Sequence, residues 1–193
     1  VLVDDQEVRD FPMHQIAAKV GSVFQNPRTQ FFNVDTTSEL AFGLENRGME
    51  ETQILKKVDK TVQELKLEKL MNRSIFDLSG GEKQRISIAR AIMKDAPVII
   101  LDEATANVDP ENEKELMSAI EALTKEKTII MIAHRLKTVE HADQILVLND
   151  GRIVGKGTHE ELLRGCETYR EIARSQMSAK ELGMEEQEVS VNE

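Results

Sequence analysis

Apolar residues along this chain fall into two rhythms. Short β-prone runs open it, Val1–Val3 and Val20–Phe24, separated by a polar stretch. The second run ends at the turn signal Gln25-Asn26-Pro27. Helical spacing then takes over. Ser38–Asn46 reads as a helix closed by Gly48, and Glu51–Leu67 as a second, with Ile54, Leu55, Val58, Val62 and Leu65 near a 3.6-residue period. Ile86, Ile88, Ala89, Ile92 and Met93 predict a further amphipathic helix that ends near Asp95-Ala96-Pro97.

From Val98 onward strand and helix alternate. Strands are expected at Val98–Leu101, Thr128–Ala133, Gln144–Leu148 and Arg152–Lys156. Helices are expected at Pro110–Thr124, Leu136–Glu140, Thr158–Leu163 and Glu167–Gln176. Apolar runs that do not alternate, set between helices, imply a mostly parallel sheet covered on both faces, so the fold class is α/β. Asn149-Asp150-Gly151-Arg152 is a hairpin signal joining the last two strands, which predicts an antiparallel edge on that sheet. No internal repeats are visible.

Composition narrows the function. A net charge of −10 over 193 residues argues against binding nucleic acid by phosphate neutralisation, and the absence of Trp removes one base-stacking platform. The single cysteine, Cys166, excludes an internal disulfide and fits a reducing compartment. No apolar run approaches the ~20 residues that span a bilayer, so membrane spans would have to come from another segment or chain. Val1-Leu2-Val3-Asp4-Asp5 lacks the regions of a signal peptide. Residues 178–193 are acidic and poor in apolar side chains, and are expected to form a flexible tail.

Two stretches carry chemistry. In Leu78-Ser79-Gly80-Gly81-Glu82-Lys83-Gln84-Arg85, Ser79 and Glu82 have the spacing of a capping box. Gly80 and Gly81 leave backbone N–H groups open at the positive end of the helix dipole, which suits an anion. Alone, this would be a capped helix and nothing more. Downstream, the apolar strand Val98–Leu101 runs into Asp102-Glu103, placing two carboxylates at the mouth of the sheet, where doubly wound folds bind ligands. Phosphoryl transfer needs one carboxylate for Mg²⁺ and another group to orient water, roles that suit Asp102 and Glu103. A bare Asp-Glu pair would ordinarily be a loop start, and the order of the two stretches is what changes that reading. His134 follows a third strand at the same sheet edge. His14, His141 and His159 have no ligand-like spacing with Cys166 or one another, so Mg²⁺ is the only metal expected.

In this order and spacing the stretches resemble the signature motif and Walker B of an ATP-binding-cassette (ABC) transporter ATPase, over residues 1 to about 175. The resemblance implies a P-loop NTPase-like ABC ATPase fold in one domain, residues 1–177, with a helical subdomain at about 36–77. It implies ATP binding and hydrolysis driving membrane transport, with ATP and Mg²⁺ at the site. Gln25 matches the Q-loop glutamine, which senses Mg²⁺ and couples the site to the transmembrane partner. Ser79, Gly80, Gly81 and Glu82 match the signature loop that binds the γ-phosphate held by the opposite subunit. Glu103 and His134 match the catalytic glutamate and the switch histidine, and Asp102 the Mg²⁺ carboxylate. Ala106-Asn107-Val108-Asp109 falls at the D-loop, with Asp109 crossing the dimer interface. Implied partners are a second nucleotide-binding domain and transmembrane subunits, with no nucleic acid, at the cytoplasmic face of the cell membrane.

The pattern departs from the family in three ways. No Gly-x-x-x-x-Gly-Lys-Ser/Thr occurs, so the chain reads as a domain lacking its Walker A segment, and a truncated remnant that folds or dimerises without hydrolysis is the alternative. The front, including Phe24–Phe32 and Asn72–Asp77, resembles energy-coupling-factor ATPases, whereas Arg85–Ile92 and Asp102–Asp109 resemble multidrug-type exporters. A recombination near Gln84–Arg85 would explain the mixture. Asp5 stands where the family often has glycine. Chromosome-maintenance ATPases share the motifs but need long coiled-coil insertions, for which the interval between Gln25 and Leu78 leaves no room. An ABC translation factor would call for tandem cassettes and basic linkers, neither of which is present.

Overall fold

A computed structural model describes residues 2–3, 6–105, 108 and 110–176. Asp109, with most of the stretch matched to the D-loop, and the acidic tail lie outside the described residues. The chain forms two compact units that divide after Ile132.

The first unit begins with a two-residue ladder, β1 (Leu2–Val3) against β2 (Gln6–Glu7), followed by the helix α1 (Met13–Lys19). α1 falls in the stretch read as polar, where no helix is expected; it is about two turns long and buries none of its side chains. β3 (Val20–Val23) leads through a turn to α2 (Thr36–Glu45) and α3 (Glu51–Glu64), which occupy the expected helical subdomain. Asp35 caps α2 by accepting from the Ser38 N–H at 2.9 Å. Gly48, at φ 68°, ends it in the left-handed conformation expected of glycine there.

α4 (Gly80–Met93) packs against α2, α3 and β3. Nine of its residues are buried, which makes it the central helix of the unit. Gly21 allows the close approach of β3, since a Cβ there would meet the Ala91 carbonyl oxygen at 3.2 Å. β4 (Val98–Asp102), α5 (Pro110–Leu123) and β5 (Thr128–Ile132) complete the unit. The sheet is parallel, in the order β3-β4-β5, with Val23 opposite Leu101 and Leu101 opposite Met131. Ile86, Ile88, Ile99, Leu101, Leu40, Leu67 and Ile120 form the centre of its core, each at most 2% exposed.

The second unit contains β6 (Ile145–Asn149) and β7 (Arg152–Gly157), then α6 (His159–Gly165) and α7 (Glu167–Gln176). The hairpin forms as expected, with Asp150 and Gly151 both at positive φ, the turn that matches strand twist. Its ladder is a separate two-stranded sheet among the described residues, not an added edge on the parallel one. The helix expected at Leu136–Glu140 is a single turn, Leu136–Thr138, so no helical crossover leads from β5 to β6. Leu136, Val147, Leu162, Cys166, Tyr169 and Ala173 form this unit's own core, and the Tyr169 hydroxyl lies 2.8 Å from His159 Nδ1.

β5 has no second partner strand among the described residues, and Ile130 and Ile132 are half-exposed. Its Thr128 N–H donates to the Pro97 carbonyl, and its Ile132 carbonyl accepts from the Glu103 N–H, both at 2.9 Å. Residues 128, 130 and 132 therefore direct their backbone groups to β4, whereas Ile129 and Met131 direct theirs to the open side. In hydrogen exchange of this chain, the amides of Ile129 and Met131 should exchange faster than that of Ile130 by about 100-fold or more. Uniform protection along β5 in a monomer would show that the edge is closed.

Candidate functional site

Register builds the site in the first unit. β3 and β4 run parallel with Val23 opposite Leu101, so Gln25 and Glu103 each stand two residues past a matched pair. Both leave the carboxyl ends of their strands, where the pleat stops and side chains turn toward solvent. Gln25 Nε2 donates to Glu103 Oε2 at 2.5 Å, across 78 residues of sequence. Asp102, the last residue of β4, is half-buried beside them. Glu103 sits at φ 47°, a left-handed conformation rare outside glycine, and its N–H is held by the Ile132 carbonyl at 2.9 Å. A non-glycine residue kept there costs about 1 kcal/mol, and such strain collects at functional positions.

Asp102, Glu103 and Gln25 bring two carboxylates and a side-chain amide, hence oxygen donors, to the same sheet edge. That composition fits a hard ion such as Mg²⁺, which takes one or two protein ligands and completes its octahedron with water and substrate oxygens. A metal cage made of protein alone is absent among the described residues: no three His, Cys, Asp or Glu side chains converge. His134 belongs to the second unit, two residues beyond β5 in the chain. It is exposed, and its carbonyl accepts from Gln176 Nε2 at 2.8 Å.

The glycine loop takes the conformation its residues predict. Ser79 Oγ accepts from the Glu82 N–H at 3.2 Å, and Glu82 Oε2 accepts from the Ser79 N–H at 2.7 Å, completing the capping box. Arg73 lies 3.4 Å from the other Glu82 oxygen. These bonds, the Ser79 N–H foremost, hold the Glu82 carboxyl below its ordinary range. Ser79 and Gly80 are exposed, and a Cβ on Gly80 would meet no heavy atom within 4 Å. An anion can approach the positive end of α4 there.

Four residues that carry no motif role support this arrangement. Gln84, fully buried on α4, donates to the Phe24 carbonyl at 3.3 Å and ties the signature helix to the residue before Gln25. Gln30 is buried beside the same segment. Glu39, with no exposure at all, accepts from the N–H groups of Phe32 and Asn33 at 2.9 and 2.8 Å and pairs with Arg90 of α4. Arg90 and Glu39 are 51 residues apart, so periodicity alone could not connect them. A glutamate beside the core leucine Leu40 was the one available signal.

Comparison with known proteins adds what geometry does not. Residues 1–106 match the family model described as ABC transporter. The chain is 39% identical over 166 residues to a putative ABC transporter ATP-binding protein of Methanosarcina mazei, covering 84% of this chain and 28% of that protein. A bacterial Atm1-family ABC exporter solved with ATP bound aligns with TM-score 0.79 at 31% identity, over 92% of this chain and 32% of the exporter. The cbiO1 protein of Clostridium perfringens, part of the ABC transporter complex cbiONQ, aligns with TM-score 0.73 at 29% identity, over 89% of this chain and 70% of that one. The chain spans about a third or less of the length of curated relatives such as the Methanosarcina mazei protein.

The capping box should be measurable in isolation. Ser79→Ala removes one N-cap acceptor and should destabilise the first unit by about 1 kcal/mol in urea unfolding. Because the folded Glu82 carboxyl titrates below its unfolded value, its contribution is present above the ordinary glutamate range near 4.5 and is lost as pH falls through the depressed value. The difference between parent and Glu82→Gln should therefore shrink as pH is lowered from 6 toward 3. A constant difference would contradict the assignment.

Proposed function

The chain belongs to the ABC transporter family, and from that premise we propose that it hydrolyses ATP as a nucleotide-binding domain whose cycle drives transport across a membrane. The observation that supports this best is the 2.5 Å contact between Gln25 and Glu103 at the carboxyl ends of parallel strands. Glu103 accepts a proton from, and so orients, the water that attacks the γ-phosphorus. The bond to the bridging oxygen breaks, leaving ADP and inorganic phosphate. Asp102 and Gln25 would hold Mg²⁺. When bound, that ion supplies neutralisation of charge on the phosphate oxygens. In this reading His134 contacts the γ-phosphate.

Ser79, Gly80, Gly81 and Glu82 serve the nucleotide of a second nucleotide-binding domain, with the N–H groups of α4 meeting its γ-phosphate and Asp109 crossing between the two. Transmembrane subunits or domains complete the assembly, and nucleic acid is not a partner. In this proposal the chain sits at the cytoplasmic face through those partners; no described helix is long and apolar enough to cross a membrane. In this reading the transmembrane partners choose the transported substrate.

The 193 residues contain no Gly-x-x-x-x-Gly-Lys-Ser/Thr loop, which elsewhere supplies the N–H cradle and lysine for the β- and γ-phosphates. As an isolated polypeptide this chain should therefore bind ATP weakly and turn it over negligibly. Joined to a strand–loop–helix segment bearing that motif, it should gain ATPase activity, and Glu103→Gln should lower that activity by about 100-fold or more. Activity in the joined protein that is indifferent to Glu103→Gln would overturn the reading. Robust turnover by the 193 residues alone, abolished by the same substitution, would instead overturn the need for the loop.

A further inference from the structure

Gln25 stands in a connection with little regular structure of its own. Between β3 and α2 the chain makes only the single turn Pro27–Thr29. A side chain on such a connection would wander unless the backbone on both sides of it were fixed. Gln30, buried to 6% exposure, supplies the fixing. Its Oε1 accepts from the Phe24 N–H at 3.3 Å, and its Nε2 donates to the Phe24 carbonyl at 3.2 Å. One side-chain amide thus satisfies both main-chain groups of the residue before Gln25, as a neighbouring strand would. The same Nε2 donates to the Asn26 carbonyl at 3.1 Å, on the other side of Gln25.

Gln30 is itself anchored. Its N–H donates to the Pro27 carbonyl at 3.2 Å, and its carbonyl accepts from the Arg90 guanidinium, which Glu39 holds. Any outward shift of residue 30 would leave buried amide groups without partners, which makes the arrangement close to all-or-none.

We propose that Gln30 is the positioning residue for Gln25: its amide brackets the backbone at Phe24 and Asn26 so that Gln25 meets Glu103 before nucleotide arrives. The inference rests on the functional reading only in taking Gln25 and Glu103 as the working pair. Gln30 is buried with its side-chain amide committed to Phe24 and Asn26, and it acts through Gln25.

The test is side-chain amide NMR on this chain without nucleotide. In Glu103→Ala, the Gln25 Nε2 protons give the signal of a glutamine that has lost this partner. In Gln30→Met, of similar length but unable to form these bonds, the Gln25 signals should move most of the way to that position. The Phe24 amide should exchange about tenfold faster or more, with the amides of β4 unchanged. If Gln30→Met does not fold, as judged by β4, Gln30→Asn keeps the amide but shortens its reach by one methylene and should give the same displacement. Gln25 signals that stay at their parental position in a folded variant would overturn the proposal. So would protection lost equally along β4 and Phe24 in both variants, since Gln30 would then serve the core as a whole. No nucleotide enters the experiment, so its failure is distinct from failure of the proposed ATPase chemistry.

Discussion

A carboxylate with no exposure to solvent must be neutralised by what surrounds it. Glu39 is such a group, and its partner is Arg90, reached from a different helix. Two further backbone N–H groups, those of Phe32 and Asn33, complete its shell. The guanidinium lies over the rings of Phe31 and Phe32 and also donates to the Gln30 carbonyl. Removing either charge would leave the other buried and unpaired, at about 3–5 kcal/mol, a large share of the stability of an ordinary domain. The pair therefore sets where α2, α4 and the segment after Gln25 lie with respect to one another. The signature loop at one end of α4 and the Gln25 loop inherit their relation from it.

Strand register supplies the rest. Parallel pairing of β3 with β4 delivers Gln25 and Glu103 to the same level, and the bond from Glu103 to the end of β5 keeps its backbone in a conformation it would otherwise leave. In the proposed ATPase, groups held this way would need little reorganisation when substrate arrives. The core of Ile86, Ile88, Ile99 and Leu101 is the rigid body beneath them.

Features decided by neighbours in sequence were legible in the sequence. The Ser79–Glu82 capping box needs only residues three apart, and the Asp150-Gly151 turn needs only its own dihedral freedom. β4 and β5 announced themselves as apolar runs between helices, and β3 as a short β-prone run ending at a turn signal. Other features hid for identifiable reasons. Leu136 and Val139 stand three apart and imitate a helical face, yet only Leu136 is deeply buried and the helix stops after one turn. Gln25 and Glu103, 78 residues apart, could be paired only through family resemblance, since no local pattern connects them. Glu39 and Arg90 read as surface charges until the fold shows that each is the other's counterion. Gln30 lies within the stretch Phe24–Phe32 that resembles energy-coupling-factor ATPases, but the resemblance gives it no role, which comes from the two ends of its amide.

The first unit requires the Glu39–Arg90 pair to act as one, and a double-mutant cycle measures that directly. Equilibrium urea unfolding of Glu39→Gln, Arg90→Met and the double variant gives three free-energy changes against the parent. If the pair organises the first unit, each single change should destabilise by about 3 kcal/mol and the double should fall short of their sum by about 1.5 kcal/mol or more. Additivity to within about 0.5 kcal/mol would mean that the two charges act independently, and the pair could not then be what holds the Gln25 loop to α4.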